Sequence, residues 1–195
     1  NEKGWDYSFV GETIEVLEAG WSVDGSQREK GPDEIAVLKV SAVTSGYFRE
    51  TEYKVLDKNT QIKKYVFPHK GDLLFSRANT RELVGATCTI YKDYPDLLLP
   101  DKLWRIRFKT DIANFIYMKH VLSDSSVRAS LSNSSTGTSG SMYNVSMEKF
   151  KSMRITLPPI KLQNQFAEIV TKIEDQKSLV QKALDETQYL FDSLM

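Results

Sequence analysis

The residues able to do chemistry are few and scattered. Pro32-Asp33 followed by Glu52-Tyr53-Lys54 matches a loose arrangement in which two carboxylates hold Mg²⁺ and a lysine orients or activates a water for nuclease chemistry. Asp33 falls in a loop and Glu52 in a charged stretch, so ordinary surface charge is the competing reading. A methyl-transferring site would need a Gly-rich cofactor loop and an Asn/Asp-Pro-Pro-aromatic motif. Pro158-Pro159 is flanked instead by Leu157 and Ile160, which lack the polar and stacking groups that hold an extruded base. Ser76 and Cys88 have no local base, and His69 and His120 have no partner nearby in the chain. One cysteine and two distant histidines give neither a metal-ligand spacing nor an internal disulfide. The expectation is a chain with no catalytic and no metal-binding residues, working in a reducing compartment, the cytoplasm.

What remains is charge and hydrogen bonding. Lysine plus arginine number 26 and aspartate plus glutamate 26, so the net charge is zero, which argues against a simple polyanion binder. The balance is uneven along the chain. From Lys161 onward there are four basic and six acidic residues, leaving two excess positive charges before it. Tyr53 to Lys70 is the most basic segment, with Lys54, Lys58, Lys63, Lys64 and Lys70 against Asp57, interleaved with Tyr53, Tyr65 and Phe67. It reads either as a solvated face or as a phosphate-contacting surface. Ser132 to Ser141 has no apolar side chain. It is either a linker or a loop of small donors that orders against a ligand such as a polyphosphate backbone.

These residues need elements to position them. Phe9 to Leu17 reads as a strand with a helical turn, Gly20 to Pro32 as an exposed loop, and Ile35 to Val40 as a buried strand. Gly71-Asp72 supplies a turn before the apolar Leu73-Leu74-Phe75. Leu83 to Tyr91 is a second strand interrupted by Gly85. Leu103 to Lys109 alternates strictly: Trp104, Ile106 and Phe108 face one way, and Arg105, Arg107 and Lys109 the other, a basic outer face. Asp111 is the expected cap of a helix through Leu122, a second short helix starts at Asp124, and Met142 to Thr156 returns to strand. After Pro158-Pro159 no Pro or Gly appears. Leu162, Phe166, Ile169, Ile173, Val180, Ala183, Leu190 and Leu194 recur in a 3,4 pattern, widened by Val170, Leu184 and Phe191. This predicts an amphipathic helix of roughly 35 residues, about 50 Å long. A helix that long with one apolar seam either folds back on its own domain or pairs with another helix. No run approaches the ~18 apolar residues of a membrane-spanning helix, and Asn1-Glu2-Lys3-Gly4-Trp5 has no apolar targeting core.

Four motifs in a fixed order carry a resemblance. They are Gly71-Asp72-Leu73-Leu74-Phe75-Ser76-Arg77, the Ser/Gly/Thr loop, Leu157-Pro158-Pro159-Ile160-Lys161-Leu162-Gln163-Asn164-Gln165-Phe166-Ala167-Glu168-Ile169, and Leu190-Phe191-Asp192-Ser193-Leu194-Met195. With Trp5 and Val37-Leu38-Lys39-Val40-Ser41 through Gly46, the chain resembles one repeat of the specificity subunit of type I restriction–modification enzymes. The resemblance implies a target-recognition domain that reads one half of a split double-stranded DNA site, followed by a conserved-region helix that spaces two such readers. It also implies docking to methyltransferase subunits and to the restriction subunit. S-adenosylmethionine, Mg and ATP would belong to those partners, with no cofactor in this chain. A single repeat departs from the usual pattern of two, and implies either a fragment or a half-length subunit that homodimerises.

The expectation is therefore an α+β fold: a curved mixed β-sheet recognition domain over 1–157 with short helices, then a coiled-coil-type spacer helix over 158–195. Side chains able to make bidentate contacts to base edges are the base-reading candidates: Arg77, Asn79 and Arg81 past a strand end, Gln27 and Arg28 in a second loop with Ser22, Asp24 and Ser26, and Tyr47 in a third. Arg77 could equally serve the fold, since it belongs to a family-like motif. Phosphate candidates are Lys63, Lys64 and Lys70 with Ser134, Ser135, Thr136, Thr138, Ser139 and Ser141. Helix-pairing candidates are Phe166, Ile169, Ile173, Val180, Ala183, Leu190 and Leu194. The competing functions are a Mg-dependent nuclease and an assembly protein that pairs through its helix without binding DNA.

Overall fold

Strict alternation in Leu103–Phe108 builds the centre of the fold. The computed structural model describes residues 4–57, 59–134 and 142–194, with the side chains of 132–134 outside that description. In chain order the elements are β1 (Asp6–Phe9), α1 (Val10–Thr13), β2 (Ile14–Ala19), β3 (Ala36–Leu38), α2 (Ser41–Thr44), β4 (Tyr53–Val55), β5 (Leu73–Ser76) and β6 (Ala78–Asn79). There follow β7 (Thr87–Thr89), β8 (Leu97–Leu98), β9 (Leu103–Phe108), α3 (Phe115–Ser123), α4 (Ser125–Ser134), β10 (Tyr143–Asn144), α5 (Met147–Lys151), β11 (Arg154–Leu157) and α6 (Ile160–Leu194). The class is α+β, as the sequence predicts. Among the described residues the strands divide among four small sheets: β2-β9-β5-β7, β4-β3-β8, β1-β11 and β10-β6. All pairings are antiparallel except β3 with β8, which makes the architecture mixed.

The period of two sorts side chains into separate cores. On β5, Leu73 and Phe75 enter one apolar cluster and Leu74 the other. On β9, Trp104, Ile106 and Phe108 join the first cluster and Leu103 the second. The first core is aromatic at its centre. Phe75 stacks on Trp104 at 5.4 Å and packs against Phe150 at 4.7 Å. All three rings are fully buried, and offset or edge contacts add to the burial of such rings.

The opposite face of β9 differs from the expected basic surface. Arg105 and Arg107 converge on Asp72, which is completely buried. Arg107 Nε and Nη2 reach Asp72 Oδ1 at 3.0 and 2.8 Å, and Arg105 Nε lies 3.4 Å from Oδ2. The His69 amide donates to Oδ2 at 2.7 Å. Burial pushes the Asp72 carboxyl up, while the His69 amide and the two guanidinium groups pull it down. The turn expected at Gly71-Asp72 thus also supplies the counter-charge for β9. Two arginines that look available in sequence are occupied in the fold.

Several local expectations are corrected. The cap of α3 is Asn114, not Asp111, and its side chain accepts from the amides of Ile116 and Tyr117. Leu83 to Tyr91 is extended only over Thr87–Thr89, because the chain turns through Gly85 at φ 81. Residues 142–156 are not continuous strand: α5 interrupts them, capped by Ser146, whose side chain accepts from the Lys149 amide. The apolar-poor stretch from Ser132 begins inside α4. The long helix falls where the pattern places it, 35 residues over Ile160–Leu194.

Candidate nucleic-acid interface

Two of the predicted loops, those of Ser22 and Arg77, meet at the turn that carries Asp101. Gly20 is pressed against Leu99, so that an added Cβ would lie 1.8 Å from its carbonyl oxygen. Only glycine permits that approach. The Trp21 amide then donates to Leu99 O at 3.0 Å, and the next residue, Ser22, donates through Oγ to Asp101 Oδ1. From the other side, Arg77 Nε donates to Asp101 O at 2.8 Å and Nη2 lies 3.6 Å from Oδ2. Arg77 is therefore a clamp between the end of β5 and the 100–102 turn, half-buried rather than freely projecting. Lys63 completes the group, with Nζ 5.2 Å from the centre of the Trp21 ring.

Beside this group lies a cleft of ≈ 530 Å³ lined by Ser22, Asp24, Lys39, Lys54, Pro100 and Lys102 among others. Lys39 is 3.8 Å from Glu52. Lys54 and Lys102 make no ion pair among the described residues. Three ammonium groups around one cleft suit a phosphate backbone. This grouping comes from tertiary contacts between β3, β4 and the 100–102 turn, and no spacing in the sequence announces Lys39 or Lys102.

On the other side of Arg77 the chain continues through Asn79 and Arg81. Asn79 is partly buried and occupied locally: Nδ2 donates to Ser76 Oγ at 3.3 Å and Oδ1 accepts from the Thr80 amide at 2.8 Å. Arg81 is exposed at a second cleft with Glu82, Val84, Ser125 and Arg128. The remaining candidates are dispersed. Gln27 is exposed, whereas Arg28 is engaged bidentately with Glu34 at 2.6 Å in both contacts. Lys64 is exposed. The Lys70 amide donates to Asp93 Oδ1 at 2.8 Å. Tyr47 sits against the long helix, its hydroxyl 3.4 Å from Glu174. Ser134 ends α4 with its side chain outside the described residues, and Lys58, Ser135, Thr136, Thr138, Ser139 and Ser141 lie outside them altogether.

The carboxylates of the nuclease-like pattern do not form a metal cluster among the described residues. Glu52 accepts from Ser41 Oγ at 2.7 Å and faces Lys39, while Asp33 borders a separate cleft with Asp57. The lone thiol, Cys88, is buried, and burial pushes its pKa up to about 12. No described helix is long and apolar enough to cross a membrane.

The helix α6 presents two faces. Gln163 and Ala167 are buried against the chain's own α+β part. Phe166, expected in the pairing seam, packs edge-on to Tyr117 and His120 at 5.8 and 5.2 Å and stays 36% exposed. Ile169, Ile173, Val180, Leu190 and Leu194 remain uncovered, as do Leu179, Leu184 and Phe191.

Fold and site define a class, an α+β domain with clustered cationic loops that carries a long helix with an open apolar seam. The particular family follows from comparison. Residues 2–188 match the family model described as the type I restriction modification DNA specificity domain, and the chain belongs to that family. It is 31% identical over 199 residues to the type I restriction enzyme EcoEI specificity subunit of Escherichia coli, covering 98% of this chain and 33% of that protein. It is 33% identical over 141 residues to the EcoKI specificity subunit of E. coli K12, covering 71% and 29%. The HsdS subunit of Thermoanaerobacter tengcongensis has a similar fold, with TM-score 0.64, 18% identity, and coverage of 98% of this chain and 47% of that one. The type I S subunit of M. genitalium gives 0.55, 12%, 91% and 42%. The chain thus spans about a third of its curated relatives. The family is one of DNA specificity, a non-catalytic role.

Proposed function

We propose that residues 1–157 read one half of a bipartite DNA site and that residues 158–195 hold this reader at a set distance from a second one. The second reader is another copy of this chain or a second repeat in a longer subunit, and a two-fold pair of copies would read a palindromic, interrupted site. Arg81 and Gln27 are the exposed base-reading candidates, with Arg77 supporting the loops. Lys39, Lys54, Lys63 and Lys102 contact phosphates. The subunit docks methyltransferase subunits, which supply S-adenosylmethionine, and through them the ATP-dependent restriction subunit, in the cytoplasm.

The observation that carries the reading is the convergence of two loops and three lysines around the Arg77–Asp101 clamp in a chain of the specificity family. The test is duplex binding by the chain assembled with its methyltransferase partner, titrated in salt. Affinity should depend on sequence and fall steeply with salt. Lys54→Ala and Lys102→Ala should each weaken binding to all sequences alike and lower the salt slope by about one. Arg81→Ala should cost about 1–3 kcal/mol at a single base position. Binding that ignores both sequence and these lysines would leave a helix-paired assembly protein as the better account.

A further inference from the structure

α6 meets the rest of its chain through a polar lock at its first turns. Gln163 is 0% exposed, and every hydrogen-bonding position of its carboxamide used here reaches backbone. Its Oε1 accepts from the Asn114 amide at 2.9 Å, and its Nε2 donates to Ile112 O at 2.9 Å and to Pro158 O at 2.8 Å. One residue on, Asn164 Oδ1 accepts from Asn114 Nδ2 at 2.9 Å. Asn114 is also the cap of α3, so the same residue starts one helix and holds another. Three turns further, Glu174 accepts a weak contact from Tyr47 at 3.4 Å. Apolar burial between these points is confined to Ala167, most of Phe166 and part of Val170.

We propose that Gln163 is a positioning residue that fixes the direction in which the spacer helix leaves the reader, and with it the separation of the two half-site readers. This rests on the reading of α6 as a spacer. The lever is long. From Gln163 to Leu194 the helix runs about 46 Å, so a tilt of about 10° at its base displaces its tip by about 8 Å, more than two base-pair steps of ~3.4 Å. Apolar contacts of an alanine, a valine and a mostly covered ring are non-directional and tolerate such a tilt. Hydrogen bonds do not, because three backbone groups must meet one planar amide in a fixed orientation. Buried polar contacts of this kind select one arrangement out of several that bury similar area.

The test is a spin–spin distance within the chain. Nitroxides are placed at Lys64→Cys and Gln181→Cys, both exposed, and the labelled protein is diluted with unlabelled chain so that only intramolecular pairs report. Cys88 is buried and escapes labelling. The parent should give one narrow distance. Gln163→Leu, which loses all three hydrogen bonds, and Gln163→Glu, which keeps the acceptor and turns a carboxylate oxygen toward two carbonyls, should each broaden the distribution about twofold or move its mean by about 5 Å, the displacement of a ~10° tilt over the intervening helix. A glutamine that merely stabilised the fold would lower the melting temperature and leave the distance unmoved. Unchanged distances in folded Gln163 variants overturn the proposal. Where neither Gln163 variant folds, Gln163→Asn decides, since its amide is one methylene too short to meet all three backbone groups; broadening supports the lock and an unaltered distance refutes it. No DNA is present, so the outcome is independent of whether the domain reads half-sites.

Discussion

The two halves of α6 belong to one helix and obey opposite rules. The half from Ile160 to Glu174 is held to its domain, chiefly by Gln163, Asn164 and Glu174, which are polar. The half beyond it is richer in exposed apolar surface, with Leu184 57% exposed, Leu190 61% and Leu194 87%, and is exposed throughout its described length. Hydrophobicity therefore does not mark the end that docks on its own domain. It marks the end left over, and a contiguous exposed apolar strip is the kind of surface that association sites use. The attached half is held by polar groups, whose geometry fixes direction, while the leucines of the free half would give any association the strength of buried area.

The sharpest way to break this contrast is to attack the domain that anchors the first half. Trp104→Ala or Phe150→Ala should cost about 3–5 kcal/mol, since each empties part of a closed aromatic core. Urea unfolding should show the loss. Leu184→Ala on the free half should change the same transition by less than about 0.5 kcal/mol. Equal effects would mean that the helix and the domain share one core after all.

Next in size is the lock itself. Gln163→Ala leaves Ile112 O, Pro158 O and the Asn114 amide without their partner, a loss of about 1–3 kcal/mol, read in the same unfolding experiment. The free half should respond in association and not in folding. Leu184→Asp combined with Leu190→Asp should weaken self-association or pairing with a second repeat at least about tenfold, because each buried leucine is worth ~1.5–3 kcal/mol and a factor of ten needs ~1.4. Sedimentation equilibrium would show this, with thermal melting of the domain unmoved.

The smallest effect is a pH dependence at the seam between the halves. His120 stands edge-on to Phe166. Burial, then neighbouring Lys119, holds its pKa below 6.5, while Glu174 pulls the other way. The folded chain then binds fewer protons than the unfolded chain just below 6.5. This contribution to stability is intact above pH 6.5 and declines as the pH falls from there toward the folded-state pKa. Melting temperatures between pH 7.5 and 5.5 should show a shallow slope that His120→Gln flattens. A slope of the opposite sign would place a carboxylate, not a desolvated imidazole, in control.

Much of the fold was legible. The 3,4 spacing from Leu162 to Leu194 gave the long helix because it depends only on the local period. The alternation from Leu103 to Phe108 gave β9 for the same reason. The site was far less so. Arg105 and Arg107 look like a cationic surface until Asp72, distant in sequence, is folded onto them. Lys39 and Lys102 belong to no motif, yet share a cleft with Lys54. Arg77, the first choice as a base reader, is half-occupied by Asp101. α5 was hidden because Met147–Lys151 is too short to show a helical period against its strand-like flanks.

The sequence by itself pointed to the family through a resemblance in the order of its motifs, and local period and composition sufficed for the α+β class and for the length and apolar seam of the terminal helix. The tertiary structure alone decided which charges are spent, which loops converge on Asp101, that the seam stays uncovered, and that a buried glutamine ties the base of the helix to backbone of its own domain. Those outcomes depend on pairings between residues 24 to 79 positions apart, and no local pattern encodes whether a side chain will find a counter-charge, a carbonyl or open water.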